Sequence, residues 1–257
     1  MNFLTFIIGI IFGSFANVCI YRLPKGKSII YPPSFCPNCN KSIKWYDNIP
    51  LISYLILKGR CRYCKNPISF RYFIVELLTG ILFTIVYKKF GISPSFFIYN
   101  LLVLSLIIIS FIDIDTFLIP DVIVLPGIFL GLLFSFLFPE IHDMGKIESI
   151  LYSFWGVICG GGILILLGFL GKFLFKKEAM GGGDVKLLGM IGSFLGWKAI
   201  FLTLFFGSLF GTLISLVLIL LKKKKIDEYV PFGPYLAIGA VISILIKGNY
   251  FLGFFIS

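Results

Sequence analysis

Residues 95–113 read SFFIYNLLVLSLIIISFID, an uncharged apolar run that ends in Asp113. As a helix this run can cross a bilayer, because a helix rises ~1.5 Å per residue and the hydrocarbon core is ~30 Å thick. The apolar runs of this chain are continuous, which favours helices over the alternating strands of a barrel. Seven further runs lie at about 2–21, 72–90, 119–138, 149–171, 185–197, 199–221 and 232–253. The sequence therefore predicts an all-α polytopic membrane protein with about eight transmembrane helices.

The composition excludes a water-soluble globule. Of the 257 residues, 58% are hydrophobic and only 14% are charged, and the mean hydropathy is +1.01. A soluble fold of this size has too little interior to bury that much apolar surface. The net charge of +11 is strongly basic. No nucleic-acid-binding motif accompanies it, so a nucleic-acid partner is not expected.

Positive charge is concentrated in alternate loops. If the N-terminus lies outside, 18 of the 23 Lys and Arg residues fall at the cytosolic ends of the apolar runs. Ten of these lie in residues 22–71. The opposite loop, 139–148, carries three acidic residues and one lysine, and its His142 is expected to be solvated. By the positive-inside rule, this asymmetry predicts an outside N-terminus and a cytosolic segment 22–71.

Four of the six cysteines lie in this basic cytosolic segment. They form two pairs, Cys36-Pro-Asn-Cys39 and Cys61-Arg-Tyr-Cys64. Two C-x-x-C hairpins separated by about twenty residues are typical of a structural zinc site with four thiolate ligands. The reducing cytosol disfavours disulfides, which makes metal binding the better use of these thiols. The alternative is four unligated thiols.

Two aspartates reach the same membrane face by topology. Asp113 ends the run 95–113, and Asp184 follows three glycines at the start of the run 185–197. Two carboxylates held close together in a low-dielectric pocket do not both ionise readily, so one keeps a proton while the other activates water. This is the chemistry of an aspartyl protease. The alternative for Asp184 is an N-cap residue after a flexible glycine loop.

Further motifs extend through most of the chain. They are G-S-F-A-N-V-C-I-Y-R-L-P at 13–24, W-Y-D-N-I-P at 45–50, I-S-F-R-Y at 68–72, the segment from Asp113 to Asp121, G-G-G-D at 181–184, and P-F-G-P-Y at 231–235. Together with the two cysteine pairs, they make the chain similar to the type IV prepilin leader peptidase/N-methyltransferases. These are the bifunctional enzymes of pilus and type II secretion systems.

The resemblance implies a GXGD-type aspartic peptidase of the bacterial cytoplasmic membrane, with its active site at the cytosolic face. Its substrates are type IV prepilins or pseudopilins, whose basic leader is removed after a glycine. The new N-terminal residue, usually Phe, is then methylated from S-adenosylmethionine. The catalytic pair carries over to Asp113 and Asp184, with Asp115 and Asp121 in support. The implied division is a first helix (1–21), a zinc module linked to methyl transfer (22–71) and a peptidase domain (72–257).

No Gly-rich nucleotide fingerprint marks a site for the methyl donor. Two residues are candidates for cofactor binding. Asp47 lies in a W-Y-D-N cluster that offers stacking and hydrogen bonds to an adenine-like ligand. Glu76 lies at the membrane entrance of the second run, where an acidic side chain is costly and often functional. Glu76 is equally suited to an ion pair with Arg71 or Lys65.

Three other functions stay open at this point. One is a peptidase without methyltransferase activity. Another is a transporter in which the intramembrane aspartates relay protons or bind cations, although no inverted repeat is visible. The third is a non-enzymatic assembly scaffold that uses the zinc loop as a docking surface. Replacing Asp113 or Asp184 by Asn separates the scaffold from the protease, because the scaffold would keep its function and the protease would lose cleavage.

Overall fold

A computed structural model describes residues 1–175, 181–222 and 230–246. Within these ranges the chain forms nine α-helices, three short 3-10 turns and isolated β-bridges, but no β-strand, which confirms the all-α prediction. The helices are α1 Asn2–Arg22, α2 Ile52–Ile56, α3 Arg71–Phe90, α4 Pro94–Thr116, α5 Asp121–Leu137, α6 Lys146–Phe175, α7 Gly182–Leu195, α8 Trp197–Leu220 and α9 Gly233–Ile246.

Eight of these helices coincide in position with the eight predicted apolar runs, and α2 is an extra short helix in the segment 22–71. Four helices of the described ranges, α1, α4, α6 and α8, are long and apolar enough to cross a membrane. Helices α5 and α9 are apolar but shorter. The part of the predicted run 232–253 beyond residue 246 lies outside the described residues.

Several helix boundaries differ from the predicted runs by a few residues, and two of the differences have a clear local cause. The fourth run was predicted from residue 119, but α5 begins at Asp121 because Pro120 is its N-cap with extended backbone (φ −73°, ψ 117°). The seventh was predicted from residue 199, but a single residue, Gly196, separates α7 from α8. Gly196 has a φ of +79°, which glycine adopts without steric cost. The two helices therefore reverse direction within one residue.

Helix α4 is the central helix of the bundle. Its inward-facing side chains, at most 1% exposed, are Tyr99, Leu102, Val103, Leu106, Ile109 and Ile112. It packs against α1, α3 and α9. In contrast, α8 presents large apolar side chains outward, with Phe201 55% and Phe205 62% exposed. An outward apolar face of this kind suits lipid, and the buried face of α4 provides the interior.

Three helix pairs approach closely through small residues, which is common where helices pack in lipid. In the pair α1 and α3, a Cβ built on Gly13 would lie 2.7 Å from the Cα of Glu76. In the pair α6 and α7, a Cβ on Gly156 would lie 2.2 Å from the carbonyl oxygen of Gly192. In the pair α8 and α9, a Cβ on Gly239 would lie 2.2 Å from the carbonyl oxygen of Thr203. These contacts fix α7 firmly against α6.

The loop after α5 corrects the expectation for His142. This residue is only 5% exposed, because the 3-10 turn Pro139–Ile141 folds the loop back onto the helices. Its Nε2 atom lies 3.0 Å from the hydroxyl of Ser135 and 2.9 Å from that of Ser153. The prediction of a solvated histidine is therefore wrong, since Ser135 on α5 and Ser153 on α6 provide buried partners for its ring.

Candidate functional site

The two cysteine pairs come together in two similar hairpins. The four Sγ atoms all lie within 4.8 Å of one another, and those of Cys36 and Cys64 are 3.8 Å apart. A tetrahedral zinc site with Zn–S distances of ~2.3 Å has sulfur–sulfur edges of ~3.8 Å, so the spacing suits a single ion. The residues between Arg22 and Arg71 are called the cysteine module below.

The backbone of each hairpin has the same construction. Cys36 donates its N–H to the carbonyl of Lys41 at 3.0 Å, and Cys61 donates to that of Asn66 at 2.9 Å. The residue after the second cysteine of each pair has a positive φ, 54° at Asn40 and 60° at Lys65. The two turns thus present their sulfurs in matching ways. The four-cysteine cluster can bind a metal ion.

Asp113 and Asp184 are brought together at one end of the bundle, as the sequence predicted. Both are buried, at 5% and 8% exposure, and their carboxyl groups interact electrostatically. Asp113 lies near the C-terminus of α4, and Asp184 is the third residue of α7. The N-cap of α7 is Gly181, so the alternative that Asp184 is an N-cap residue is wrong.

The two carboxylates have different hydrogen-bonding environments. Asp113 Oδ2 accepts a hydrogen bond of 2.9 Å from the backbone N–H of Gly233, the first residue of α9. The N-terminal end of a helix carries partial positive charge, so α9 stabilises a negative charge on Asp113. The Oδ1 atom of Asp184 is buried and accepts no hydrogen bond from any described residue. Asp184 therefore has an oxygen available for a ligand.

Close approach at this site depends on glycine at two positions. A Cβ on Gly233 would lie 2.8 Å from Asp113 Oδ2, and one on Gly183 would lie 2.9 Å from the Cβ of Ile119. A Cβ on Gly182 would have no atom within 4 Å. A side chain at residue 183 would therefore collide with Ile119, whereas a side chain at residue 182 would fit.

Asp115 and Asp121 form ion pairs on the rim of this site. Asp115 pairs with Arg71, the first residue of α3, and Asp121 accepts hydrogen bonds of 2.8 and 2.9 Å from Lys186 of α7. Exposed ion pairs contribute only ~0–1 kcal/mol each. Their effect is geometric, because they connect α3 to α4 and α5 to α7 around the two buried aspartates. We call this the aspartate end of the bundle.

A cavity of about 420 Å³ lies between the cysteine module and the neighbouring ends of α1 and α3. Its size is within the ~300–1,000 Å³ typical of small-molecule sites. The wall combines aromatic rings with polar and charged groups. Its aromatic side chains are Phe35, Tyr21, Tyr54, Tyr63 and Tyr72, and its acidic ones are Asp47 and Glu76.

Both candidate cofactor residues thus line one cavity, but their carboxylates differ in availability. Both oxygens of Asp47 accept hydrogen bonds from Arg62, at 2.6 and 2.7 Å. The Arg62 guanidinium holds the pKa of Asp47 below its usual value, so this carboxylate is ionised and paired. Glu76 pairs with neither Arg71 nor Lys65 and instead accepts the backbone N–H of Leu51 at 2.7 Å.

The sequence reasoning missed Asn17, which also lines the cavity. It is 3% exposed, and its Nδ2 donates to the carbonyl of Tyr72 at 3.0 Å. Its Oδ1 is buried and accepts no hydrogen bond within the described part of the chain. A signal was present, since Asn17 is the only amide side chain between residues 3 and 21. Polar groups inside an apolar run often have a functional role.

Comparison with known proteins adds independent information. The model of the bacterial peptidase A24 N-terminal domain matches residues 7–90, and that of the type IV leader peptidase family matches residues 100–216. No solved structure matches the chain.

Three relatives, all named prepilin leader peptidase/N-methyltransferase, illustrate the similarity over the full length. The relative from Stutzerimonas stutzeri is 36% identical over 93% of this chain and 88% of its own length. The relative from Aeromonas hydrophila is 37% identical over 94% of this chain and 89% of its own length. That from Pseudomonas aeruginosa is 35% identical over 94% and 89%.

The geometry of the cysteine module makes a prediction about metal content. The purified protein should carry about one zinc ion per chain, because four thiolates at tetrahedral spacing form a closed site. Replacing Cys36 or Cys61 by Ser should abolish binding and destabilise the module. Inductively coupled plasma mass spectrometry measures the metal. Cys159→Ser is the matched control, since Cys159 lies in α6 and outside the cluster. Equal metal loss in this control would contradict the assignment.

Proposed function

We propose that this chain, which belongs to the type IV leader peptidase family, removes the leader peptide of type IV prepilins or pseudopilins and N-methylates the new amino terminus. The observation that carries the peptidase half is the buried pair Asp113 and Asp184, held at one end of the bundle by three helices. The names of the full-length relatives support both activities.

The two aspartates divide the work of hydrolysis. Asp113, whose charged form is stabilised by the N–H of Gly233, accepts a proton from the attacking water. Asp184 carries the shared proton and donates it to the carbonyl oxygen of the scissile peptide bond. The tetrahedral intermediate then collapses, the C–N bond breaks and the amine leaves with a proton from the pair. The supporting observation is that the N–H of Gly233 reaches Asp113 Oδ2, whereas Asp184, which interacts with the backbone of Gly181, keeps Oδ1 without a described donor.

We place the eight helices other than α2 in the bacterial cytoplasmic membrane, with the N-terminus outside and the aspartate end at the cytosolic face. Support comes from contacts at both ends of the bundle. At the aspartate end, α3 pairs with α4, and α5 pairs with α7. At the opposite end, the hydroxyl of Tyr99 on α4 donates to the carbonyl of Ile141 at 3.0 Å. The helices thus alternate in direction, and most basic loops share the aspartate end.

The metal of the cysteine module is structural zinc. Four thiolates leave no open position on a tetrahedral ion, so the ion stabilises the module and takes no part in the reaction. Because the module forms one wall of the cavity, zinc maintains the shape of that cavity. This arrangement favours the bifunctional enzyme over a peptidase that lacks methyltransferase activity. A cation-coupled transporter gains no support from relatives that match this chain over nearly its whole length.

S-adenosylmethionine is the methyl donor, and the cavity under the cysteine module is where it binds. Tyrosine rings of the wall offer stacking surfaces for an adenine ring, and buried polar groups offer hydrogen bonds. The residues of this chain thus fit such a ligand in size and in chemistry. When bound, it supplies an electrophilic methyl group.

The aspartyl pair is tested by cleavage of a prepilin in detergent. Asp113→Asn and Asp184→Asn should each lower the cleavage rate by ~10³-fold or more, because each removes one of the two proton-transfer groups. Mass spectrometry of the pilin measures loss of the leader and, with S-adenosylmethionine present, gain of one methyl group.

Asp143→Asn is the control for this experiment, since Asp143 lies in the loop at the opposite end of the bundle. All variants should keep the same elution volume and the same zinc content. Cleavage at the normal rate by either aspartate variant would refute the peptidase assignment.

A pair of adjacent glycines provides a second test. Gly183→Ala should reduce cleavage by about 10²-fold, because its methyl group collides with Ile119 and displaces Asp184. Gly182→Ala should cleave at nearly the normal rate, because its methyl group meets open space. The measurement is the initial rate of prepilin cleavage by each variant. Equal rates would show that the spacing at Gly183 does not position the aspartate.

The membrane orientation predicts which loops antibodies can reach. An epitope inserted after Gly26 should become accessible in spheroplasts only after permeabilisation, since this loop is cytosolic. An epitope inserted after Met144 should be accessible in intact spheroplasts. Gly26 has open space around it, so the insertion is sterically tolerated. Labelling of the Gly26 epitope in intact spheroplasts would invert the proposed topology.

A further inference from the structure

Glu76 is the acidic side chain of the cavity wall that lacks a cationic partner within the described part of the chain. The wall also contains Arg22, Lys41, Arg62 and Arg71; Arg22 donates to the carbonyls of Ser28 and Pro32, and Arg71 pairs with Asp115. Of the two acidic side chains in this wall, Asp47 is paired with Arg62, whereas Glu76 has no cationic partner among the described residues. Glu76 accepts the N–H of Leu51, and its other polar neighbour is the hydroxyl of Ser14; both groups are neutral. A carboxylate that is 8% exposed and lacks a counter-ion is costly, unless a cation binds beside it.

Asn17 adds an oriented acceptor to the same wall. Its amide is fixed because Nδ2 donates to the carbonyl of Tyr72 on α3. The buried Oδ1 then has no donor within the described ranges. A buried acceptor without a partner is rare in folded proteins and calls for a ligand with an N–H or O–H group. The Glu76 carboxylate and Asn17 Oδ1 together form a binding site suited to a cationic group that carries N–H donors.

The position of Glu76 relates it to the aspartate end. Arg71 lines the cavity and pairs with Asp115, so the N-terminus of α3 lies beside the C-terminus of α4. Glu76 is five residues beyond Arg71 along α3, or ~7.5 Å, and Asp113 is two residues before Asp115 along α4, or ~3 Å. Both carboxylates therefore lie within about two helical turns of the aspartate end of the bundle. A terminus released at Asp113 is already near the depth of Glu76.

We propose that Glu76 and Asn17 receive the amino-terminal ammonium group of the cleaved pilin and hold it for methylation. This inference rests on the proposed function, and it assigns the amine end of the methyl-transfer site. The remainder of the cavity, under the cysteine module, takes the methyl donor.

The ammonium group must lose a proton before its nitrogen can attack. That proton passes to the Glu76 carboxylate, while Asn17 Oδ1 accepts a second N–H and orients the nitrogen. The nitrogen lone pair then forms the N–C bond to the methyl carbon, and the C–S electron pair stays on sulfur to give S-adenosylhomocysteine. The second proton of the methylated ammonium is lost to water.

The decisive variant is Glu76→Gln, which preserves the shape of the side chain. It should cleave prepilin at the normal rate, which also reports correct folding, and methylate it ~10²-fold more slowly at neutral pH. Because an α-amine has a pKa of ~8, raising the pH should partly restore methylation by this variant, as the amine then becomes neutral without a base. A folding defect would give no such recovery. Glu140→Gln, an exposed acid at the opposite end, is the matched control.

Binding measurements separate the amine from the cofactor. A synthetic peptide that begins with Phe and continues as an apolar helix should bind wild type at least ~10-fold more tightly than its N-acetylated form. Glu76→Gln and Asn17→Leu should reduce this difference. Binding of S-adenosylmethionine, measured by calorimetry, should be unchanged in Glu76→Gln.

Two outcomes would overturn the inference while leaving the proposed function intact. One is normal methylation by Glu76→Gln, and the other is loss of S-adenosylmethionine binding, which would make Glu76 a cofactor ligand. Failure of wild type to cleave or methylate prepilin would instead refute the proposed function itself.

Discussion

The hydrogen bond from the Gly233 N–H to Asp113 determines how the other helices are arranged. A carboxylate buried in a membrane bundle is expensive unless dipoles or hydrogen bonds offset the loss of water. Here the N-terminus of α9 approaches to 2.9 Å, and this approach requires the absence of a side chain at residue 233. Helix α7 must bring Asp184 to the same place, which Gly183 permits. The positions of the two aspartates thus depend together on the absence of side chains at Gly233 and Gly183.

Small residues extend that constraint through the bundle. Lipid gives little hydrophobic drive for helices to associate, so close backbone contact and polar groups hold them together. Gly156 and Gly192 press α6 against α7, which fixes the helix that carries Asp184. Gly13 presses α1 against α3 beside Glu76. The same packing device therefore sets the depth of the peptidase pair and of the cavity wall.

Much of this arrangement follows from local sequence patterns. Continuous apolar runs located the eight helices other than α2, four of which are long and apolar enough to cross a membrane. Cysteine spacing located the metal cluster, and alternation of helix direction brought Asp113 and Asp184 to one face. The cavity was not predictable, because it depends on how an irregular segment without periodicity folds over α1 and α3. Asn17 was missed because its partner, Tyr72, is distant in sequence. His142 was misjudged because the turn Pro139–Ile141 folds it against Ser135 and Ser153, which a hydropathy pattern does not reveal.

In the proposed mechanism, the placement of the two sites accounts for the order of the two reactions. Before cleavage the nitrogen at the scissile bond is an amide, which carries no charge and is a poor nucleophile. Only after the peptide bond is cut does it become an ammonium group that a lone buried carboxylate attracts. The Arg71 and Asp115 pair joins the helices that carry the two sites, so this attraction acts over a short path. Charge created by the first reaction therefore selects the substrate of the second.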